Sequence, residues 1–127
     1  MKFGVAGRVL WSFEHEFSLN LVFSGEWEIR IETTFRLRAA EELLVIDPEE
    51  GLARSAEFLD ALIGRAVDTA EVSERGLLTL AFEGGVVISV EPDTRYEAWT
   101  VAGPAGVKLV CMPGGEVAVW AAAPDGS

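Results

Sequence analysis

The 127-residue sequence holds one cysteine, one histidine and two lysines, and each scarcity narrows the chemistry open to it. With Cys111 alone, neither an intramolecular disulfide nor a cysteine metal cage can form. With His15 alone, nothing in the sequence places a base beside Cys111, so nucleophilic cysteine catalysis lacks its second member. Basic charge is also scarce: ten Lys and Arg stand against twenty-one Asp and Glu, a net charge of −11. Contact with a nucleic-acid backbone needs a basic stripe to replace released counterions, so this balance argues against nucleic acid, and equally against an anionic membrane surface. Long apolar runs are missing too. None approaches the ~18 residues of a membrane span, and Arg8 interrupts the apolar start too early for a signal peptide. P-loop, G-x-S-x-G and paired zinc spacings do not occur. The expected setting is a reducing cytoplasm, with no cofactor, no bound metal and no catalytic residues.

What the chain does have is core material. Half of its residues are apolar, including four Trp and seven Phe, enough for one domain over 1–127 that buries roughly two thirds of its unfolded surface. Fraying is expected only at Met1 to Phe3 and at Ala121 to Ser127.

The pattern also repeats. Gly7-Arg8-Val9-Leu10 is echoed by Gly64-Arg65-Ala66-Val67. Leu19, Leu21, Phe23, Gly25, Trp27, Ile29, Ile31 and Glu32 are echoed 59 residues later by Leu78, Leu80, Phe82, Gly84, Val86, Ile88, Val90 and Glu91. Apolar residues at every second position on both sides of a glycine turn describe hairpins with one buried face. The polar positions of the first unit's third strand (Glu26, Glu28, Arg30 and Glu32) give that sheet a wet face, which favours antiparallel pairing.

Between the two units, over about 7–32 and 64–91, the period changes. Asp47 suits an N-cap, Pro48 the first helical position, and Glu49 and Glu50 the positive end of the helix dipole. Leu52, Ala56, Leu59, Leu62 and Ile63 follow at helical spacing, so the pattern predicts a helix over 48–63. Strands are expected at 5–13, 17–23, 26–37, about 64–72, 77–82 and 86–91. Three more fall in a C-terminal section over 95–120, at 95–101, 107–111 and 116–120. The expected class is α+β: about nine mainly antiparallel strands in two pseudo-repeated meanders, with one helix.

Three places invite a functional reading. His15, between Glu14 and Glu16, would have to converge with them on one ion. On a strand they point the opposite way, and a loop between the first two strands is the plainer reading. Cys111, among Val107, Leu109, Val110 and Met112, reads as a small buried hydrophobe. The segment Glu91-Pro-Asp-Thr-Arg-Tyr-Glu-Ala-Trp99 is denser. On a strand, Arg95, Glu97 and Trp99 would share one face and Tyr96 the other. Tyr, Trp and Arg are the residues that dominate interface hot spots, so Arg95, Tyr96, Glu97 and Trp99 are the candidate binding residues. The structural alternative puts Trp99 in the core and pairs Arg95 with Glu97 at a rim.

The hairpin pattern L-x-F-x-x-G, the Pro92-Asp93 break, Tyr96-Glu97-Ala98-Trp99 and Pro113-Gly114-Gly115-Glu116-Val117-Ala118-Val119-Trp120 resemble an uncharacterised bacterial family. Its members are small cytosolic proteins, known mostly from actinobacterial genomes, and the likeness is strongest from about Gly76 to Trp120. The family brings no established activity or ligand with it. The functional expectation is therefore a non-enzymatic interaction domain, in a specific version an immunity-type protein that neutralises a basic partner, with a homodimer through a strand edge also open. The competing expectation is a small-molecule or metal-dependent enzyme with a carboxylate-lined pocket between the repeat units.

Overall fold

The computed structural model describes residues 1–52 and 55–121. The part of the C-terminal tail expected to fray that follows Ala121 lies outside them. Among the described residues, eleven strands form two antiparallel sheets, with one short α-helix between β5 and β6. The first meander is β1 (Leu10–His15), β2 (Leu19–Phe23) and β3 (Trp27–Ile31). A hairpin of β4 (Phe35–Ala39) and β5 (Glu42–Ile46) follows. Then come helix α1 (Ser55–Leu62) and a second meander of β6 (Val67–Val72), β7 (Leu78–Phe82) and β8 (Val87–Val90). Last are β9 (Trp99–Ala102), β10 (Lys108–Cys111) and β11 (Val117–Trp120).

Neither meander completes its own sheet. After β3 the chain crosses to the other sheet, where β4 pairs with β8. After β8 it crosses back, and β9 pairs with β3. The resulting orders are β1-β2-β3-β9-β10-β11 and β5-β4-β8-β7-β6. The strict alternation of buried residues in β2, β3 and β7 turns one face of each sheet inward, as period two requires. The inward residues of both sheets, with Leu59 and Leu62 of α1, join in one core cluster. Phe23 and Phe82 stack across it, with ring centroids 6.4 Å apart.

The start of β1 and the start of β6 meet through matched bonds. Leu10 N–H donates to the Arg65 carbonyl (3.0 Å), and Val67 N–H donates to the Arg8 carbonyl (2.8 Å). Gly7 N–H reaches the Val67 carbonyl at 2.7 Å, and Gly64 N–H reaches the Leu10 carbonyl at 2.8 Å. The side chains follow the same plan. Val9 N–H donates to Ser24 Oγ, and Ala66 N–H donates to Glu83 Oε1. A Cβ on Gly25 would collide with the Arg8 guanidinium, and one on Gly84 with that of Arg65. Glycine is needed in both hairpins for its positive φ, and the arginine laid against each one uses the space left by the missing Cβ.

The structure departs from the sequence-based expectations in several places, beginning with the first strand, expected over 5–13 and found at Leu10–His15 after a turn over 4–7. The helix is eight residues long and begins at Ser55, not Pro48. Asp47 caps only a turn, its carboxylate accepting from Glu49 N–H and its carbonyl from Glu50 N–H. Gly51, at φ +105°, then takes the chain out of helical geometry. The strand expected over 26–37 is two strands, because at 32–34 the chain leaves one sheet for the other. Together with β5 this raises nine strands to eleven. The strand expected over 95–101 begins only at Trp99. The second strand begins at Leu19, leaving Phe17 outside it. Met1 to Phe3, expected to fray, pair with β6: the terminal ammonium donates to the Val72 carbonyl at 2.7 Å, Val72 N–H returns a bond to Met1, and Lys2 bridges to Glu71.

Candidate functional site

The expected site segment divides into a buried half and an exposed half. Asp93 organises it. Its Oδ1 accepts from the backbone N–H of Arg95 (2.7 Å) and of Tyr96 (3.2 Å), while Oδ2 accepts from the Thr33 hydroxyl at 3.2 Å. An aspartate that bonds the chain two residues on makes a turn, not a strand, so Arg95, Glu97 and Trp99 do not share one strand face. The Arg95 N–H is the main cause of an Asp93 pKa below the ordinary carboxylate value. Burial opposes it, and the Tyr96 N–H, the Thr33 hydroxyl and the Arg95 charge add to it.

Beyond the turn Trp99 goes inward and is fully buried. Its indole N–H donates to the Gly76 carbonyl at 3.0 Å, and the Cys111 thiol points to the same oxygen at 3.6 Å. The β6–β7 turn and the β10–β11 turn press together here. A Cβ on Gly115 would sit 2.2 Å from the Arg75 carbonyl oxygen, and one on Gly76 would sit 2.5 Å from the Gly115 carbonyl oxygen. Gly114 N–H closes the corner on the Asp93 carbonyl at 2.8 Å. Trp99 is thus a structural anchor. Cys111 is buried, and burial raises its thiol pKa, so its reactive thiolate form is disfavoured.

Tyr96 and Glu97 turn outward. Tyr96 is 68 % exposed and faces a depression of about 480 Å³ lined by Phe17, Ser18, Glu32, Glu49, Tyr96 and Glu97. Four separate segments build it. The β1–β2 turn, closed by Glu16 N–H on the Ser18 carbonyl, presents Phe17, which is 79 % exposed. Glu32 comes from the end of β3, where its N–H is held by the Ala98 carbonyl at 2.9 Å. Glu49 comes from the turn after β5. That turn is tied to β1 by His15, whose Nε2 donates to the Pro48 carbonyl. His15 ends β1 and does not sit in the loop expected for it, and its bond is structural. Two exposed aromatic rings with three carboxylates are suited to a cation, because ring faces and carboxylates both attract positive charge.

A second depression of about 380 Å³ shares Glu32 and Glu97 with the first. It spreads over the outer face of the six-stranded sheet, past Glu28, Arg30, Thr100 and Lys108. Arg95 itself is exposed. The ion pairs found among the described residues, Lys2–Glu71 at 3.9 Å and Arg36–Glu91 at 3.7 Å, include neither Arg95 nor Glu97. The rim pair expected for them is therefore not formed.

Of the candidate residues named from the sequence, Tyr96 and Glu97 line this depression; Phe17, Glu32 and Glu49, which line it with them, are not among those candidates. Phe17 continues the apolar alternation of β2 and so reads as core. Only the turn at 16–18 turns it outward, and its neighbours Glu14, His15 and Glu16 were the one local sign. Among the described residues no group of three or more His, Cys, Asp or Glu is arranged to hold a metal ion, and no helix is long and apolar enough to cross a membrane. Neither a curated protein nor a solved structure matches the chain. Residues 1–121 match a family of unknown function (DUF6188), and the chain belongs to that family.

Proposed function

We propose that the protein is a single-domain interaction module that captures a basic protein partner, with Phe17, Tyr96, Glu32, Glu49 and Glu97 receiving one of its cationic side chains. The observation that carries this reading is the Phe17–Tyr96 depression, which sets two large exposed rings among three carboxylates. An aromatic ring left in water and ringed by acid gains nothing for folding. Against an Arg or Lys it gains roughly 0.5–2 kcal/mol in cation–π attraction. The net charge of −11 adds long-range steering, which raises association rates most at low salt. An immunity-type protein that neutralises a basic toxin is one form of this function. Arg95, exposed beside Tyr96, carries the same charge as such a partner and lies outside the lining of the depression.

The setting we infer is the cytoplasm of an actinobacterium, in line with the Arg-over-Lys bias, the richness in Ala and Gly and the single reduced Cys111. The matched bonds at Gly7 and Gly64, Arg8 and Arg65, and Ser24 and Glu83 support an internal duplication as the origin of the two meanders.

The enzyme reading asked for two or more buried carboxylates with raised pKa values. Among the described residues the buried polar side chain is Ser55, and the one shifted carboxylate, Asp93, is shifted down. That contrast favours binding over catalysis. The test is a titration of the ¹⁵N-labelled chain with an oligolysine peptide at 20 and 300 mM NaCl. Shifts centred on Phe17, Ser18, Tyr96 and Glu97, weakened by salt and by Tyr96→Ala, support the reading. Shifts spread evenly over all acidic residues, or equal binding by Tyr96→Ala, would refute it.

A further inference from the structure

β5 is an edge strand of the five-stranded sheet, paired on one side only, with β4. The two strands are joined by the two-residue loop Ala40-Glu41, with Ala40 at φ +54°. A two-residue hairpin loop makes Ala39 and Glu42 the closing hydrogen-bonded pair. Alternation then turns the backbone N–H and C=O of residues 42, 44 and 46 toward β4, and those of Leu43 and Val45 outward. No hydrogen bond from the described residues reaches Leu43 or Val45 from outside. Their side chains are also in water, 50 % and 64 % exposed, on the outer face that they share with Arg36 and Arg38. An apolar edge of this kind, with no proline and with its one charge, Glu42, confined to its first residue, is open to an added strand.

The chemistry at its ends says which strand. Glu41 precedes β5 and Glu42 opens it, and Asp47, Glu49 and Glu50 follow its other end. On the inner face, beside Leu44 and Ile46, lies a cavity of about 360 Å³. Leu44, Ile46, Gly51 and Leu52 supply apolar wall, and Asp47 and Glu50 supply charge. Apolar walls with a carboxylate rim fit a long cationic side chain, which buries its stem and leaves its head at the acids. A second copy of this chain fits badly. Antiparallel pairing about Leu44, the register that matches Leu43 of one copy with Val45 of the other, sets Glu41 of each against Asp47 of the other. Like charges directly opposite destabilise a pair.

We propose that the β5 edge is a strand-addition site for an extended basic segment of the partner protein. The inference rests on the basic-partner reading above and adds the mode of binding. An antiparallel segment hydrogen-bonds to Leu43 and Val45. It places a Lys or Arg opposite Ile46, where that side chain enters the cavity at Asp47 and Glu50. It places β-branched residues opposite Val45 and Leu43, so its pattern is basic–apolar–any–apolar. The turn over 47–50 lies between this edge and the Phe17–Tyr96 depression, with Asp47 and Glu50 lining one cavity and Glu49 the other.

The test titrates the ¹⁵N-labelled full chain with acetyl-Thr-Lys-Val-Thr-Val-Thr-amide and with its Glu-for-Lys analogue, alongside native mass spectrometry. The largest amide shifts are expected at Leu43 and Val45, with at least tenfold weaker binding of the Glu peptide. Val45→Pro removes one outward N–H and leaves the β4 ladder intact, so binding should fall tenfold or more. The Asp47→Asn, Glu50→Gln double variant, which does not touch the strand, should lose several-fold for the Lys peptide and nothing for a norleucine analogue. Unchanged binding by Val45→Pro, or shifts confined to the Tyr96 region, would overturn strand addition and leave the basic-partner reading standing. A dimer that Val45→Pro disperses would make a second copy the occupant and overturn it as well. No binding of the Lys peptide at low salt would overturn it too, whereas the failure of oligolysine at Phe17 and Tyr96 is read in its own titration.

Discussion

Gly115→Ala should be among the most damaging single-methyl additions possible in this chain. The backbone at Gly115 has φ +102°, which an alanine reaches only with strain of about 1–3 kcal/mol. The new Cβ would also stand 2.2 Å from the Arg75 carbonyl oxygen, backbone that cannot swing aside as a side chain does. Relief requires the two turns to part by about 1 Å, since carbon and oxygen pack at roughly 3.3 Å. That separation strains the Gly114–Asp93 bond of 2.8 Å and the Trp99–Gly76 bond of 3.0 Å, each worth about 1 kcal/mol. The sum is a loss of about 3–5 kcal/mol. At about 3–5 °C per kcal/mol for a chain of this length, Tm should fall by about 10–20 °C. Gly114→Ala is the internal control. Its φ of +88° carries similar strain, but its Cβ would meet nothing within 4 Å, so it should cost only about 1–2 kcal/mol. Urea unfolding followed by Trp fluorescence measures both. If Gly115→Ala proves no worse than Gly114→Ala, the turns do not bear on each other and the account of this corner is wrong.

Further expectations concern the groups around the same corner. Trp99→Phe orphans the Gly76 carbonyl except for the weak Cys111 thiol. Trp27→Phe breaks no hydrogen bond, because Trp27 Nε1 has no partner. Denaturant melts should therefore show Trp99→Phe to be the costlier by about 1–2 kcal/mol. Asp93 has a folded pKa below its unfolded value near 3.9. Its contribution is thus fully present above about pH 4 and is lost as pH falls through the folded value. The stability gap between wild type and Asp93→Asn should accordingly close on acidification below pH 4, and a gap that widens would reverse the sign of the argument. Cys111 should resist iodoacetamide in the folded chain and react once the chain unfolds.

The class of fold was legible because period two is a local signal: Leu19-x-Leu-x-Phe23 and Leu78-x-Leu-x-Phe82 can bury one face only as strands. The exchange of β4 and β9 between sheets was not legible. It depends on where each crossing strand finds a free neighbour, and Thr33-Thr34 carries no strong turn residue to announce the break. The helix start was misread for the opposite reason. Asp47-Pro48-Glu49-Glu50 is a good opening for a helix, and a single Gly51 at positive φ overrides it. Tyr96 and Glu97, which line the depression, stand out in the sequence because Tyr, Trp and Arg cluster in that one segment. Phe17, Glu32 and Glu49 come from three other segments, and only the folded chain brings them to one depression.

The claim that a basic partner is held at the Phe17–Tyr96 depression is tested most directly by calorimetric titration of an oligolysine peptide into wild type and into Tyr96→Ala. Tyr96→Ala removes one of the two rings and should bind about twofold to thirtyfold more weakly at 20 mM NaCl, the range set by about 0.5–2 kcal/mol of cation–π attraction. Equal affinity of the two proteins, or equal binding of an oligoglutamate peptide, would contradict it.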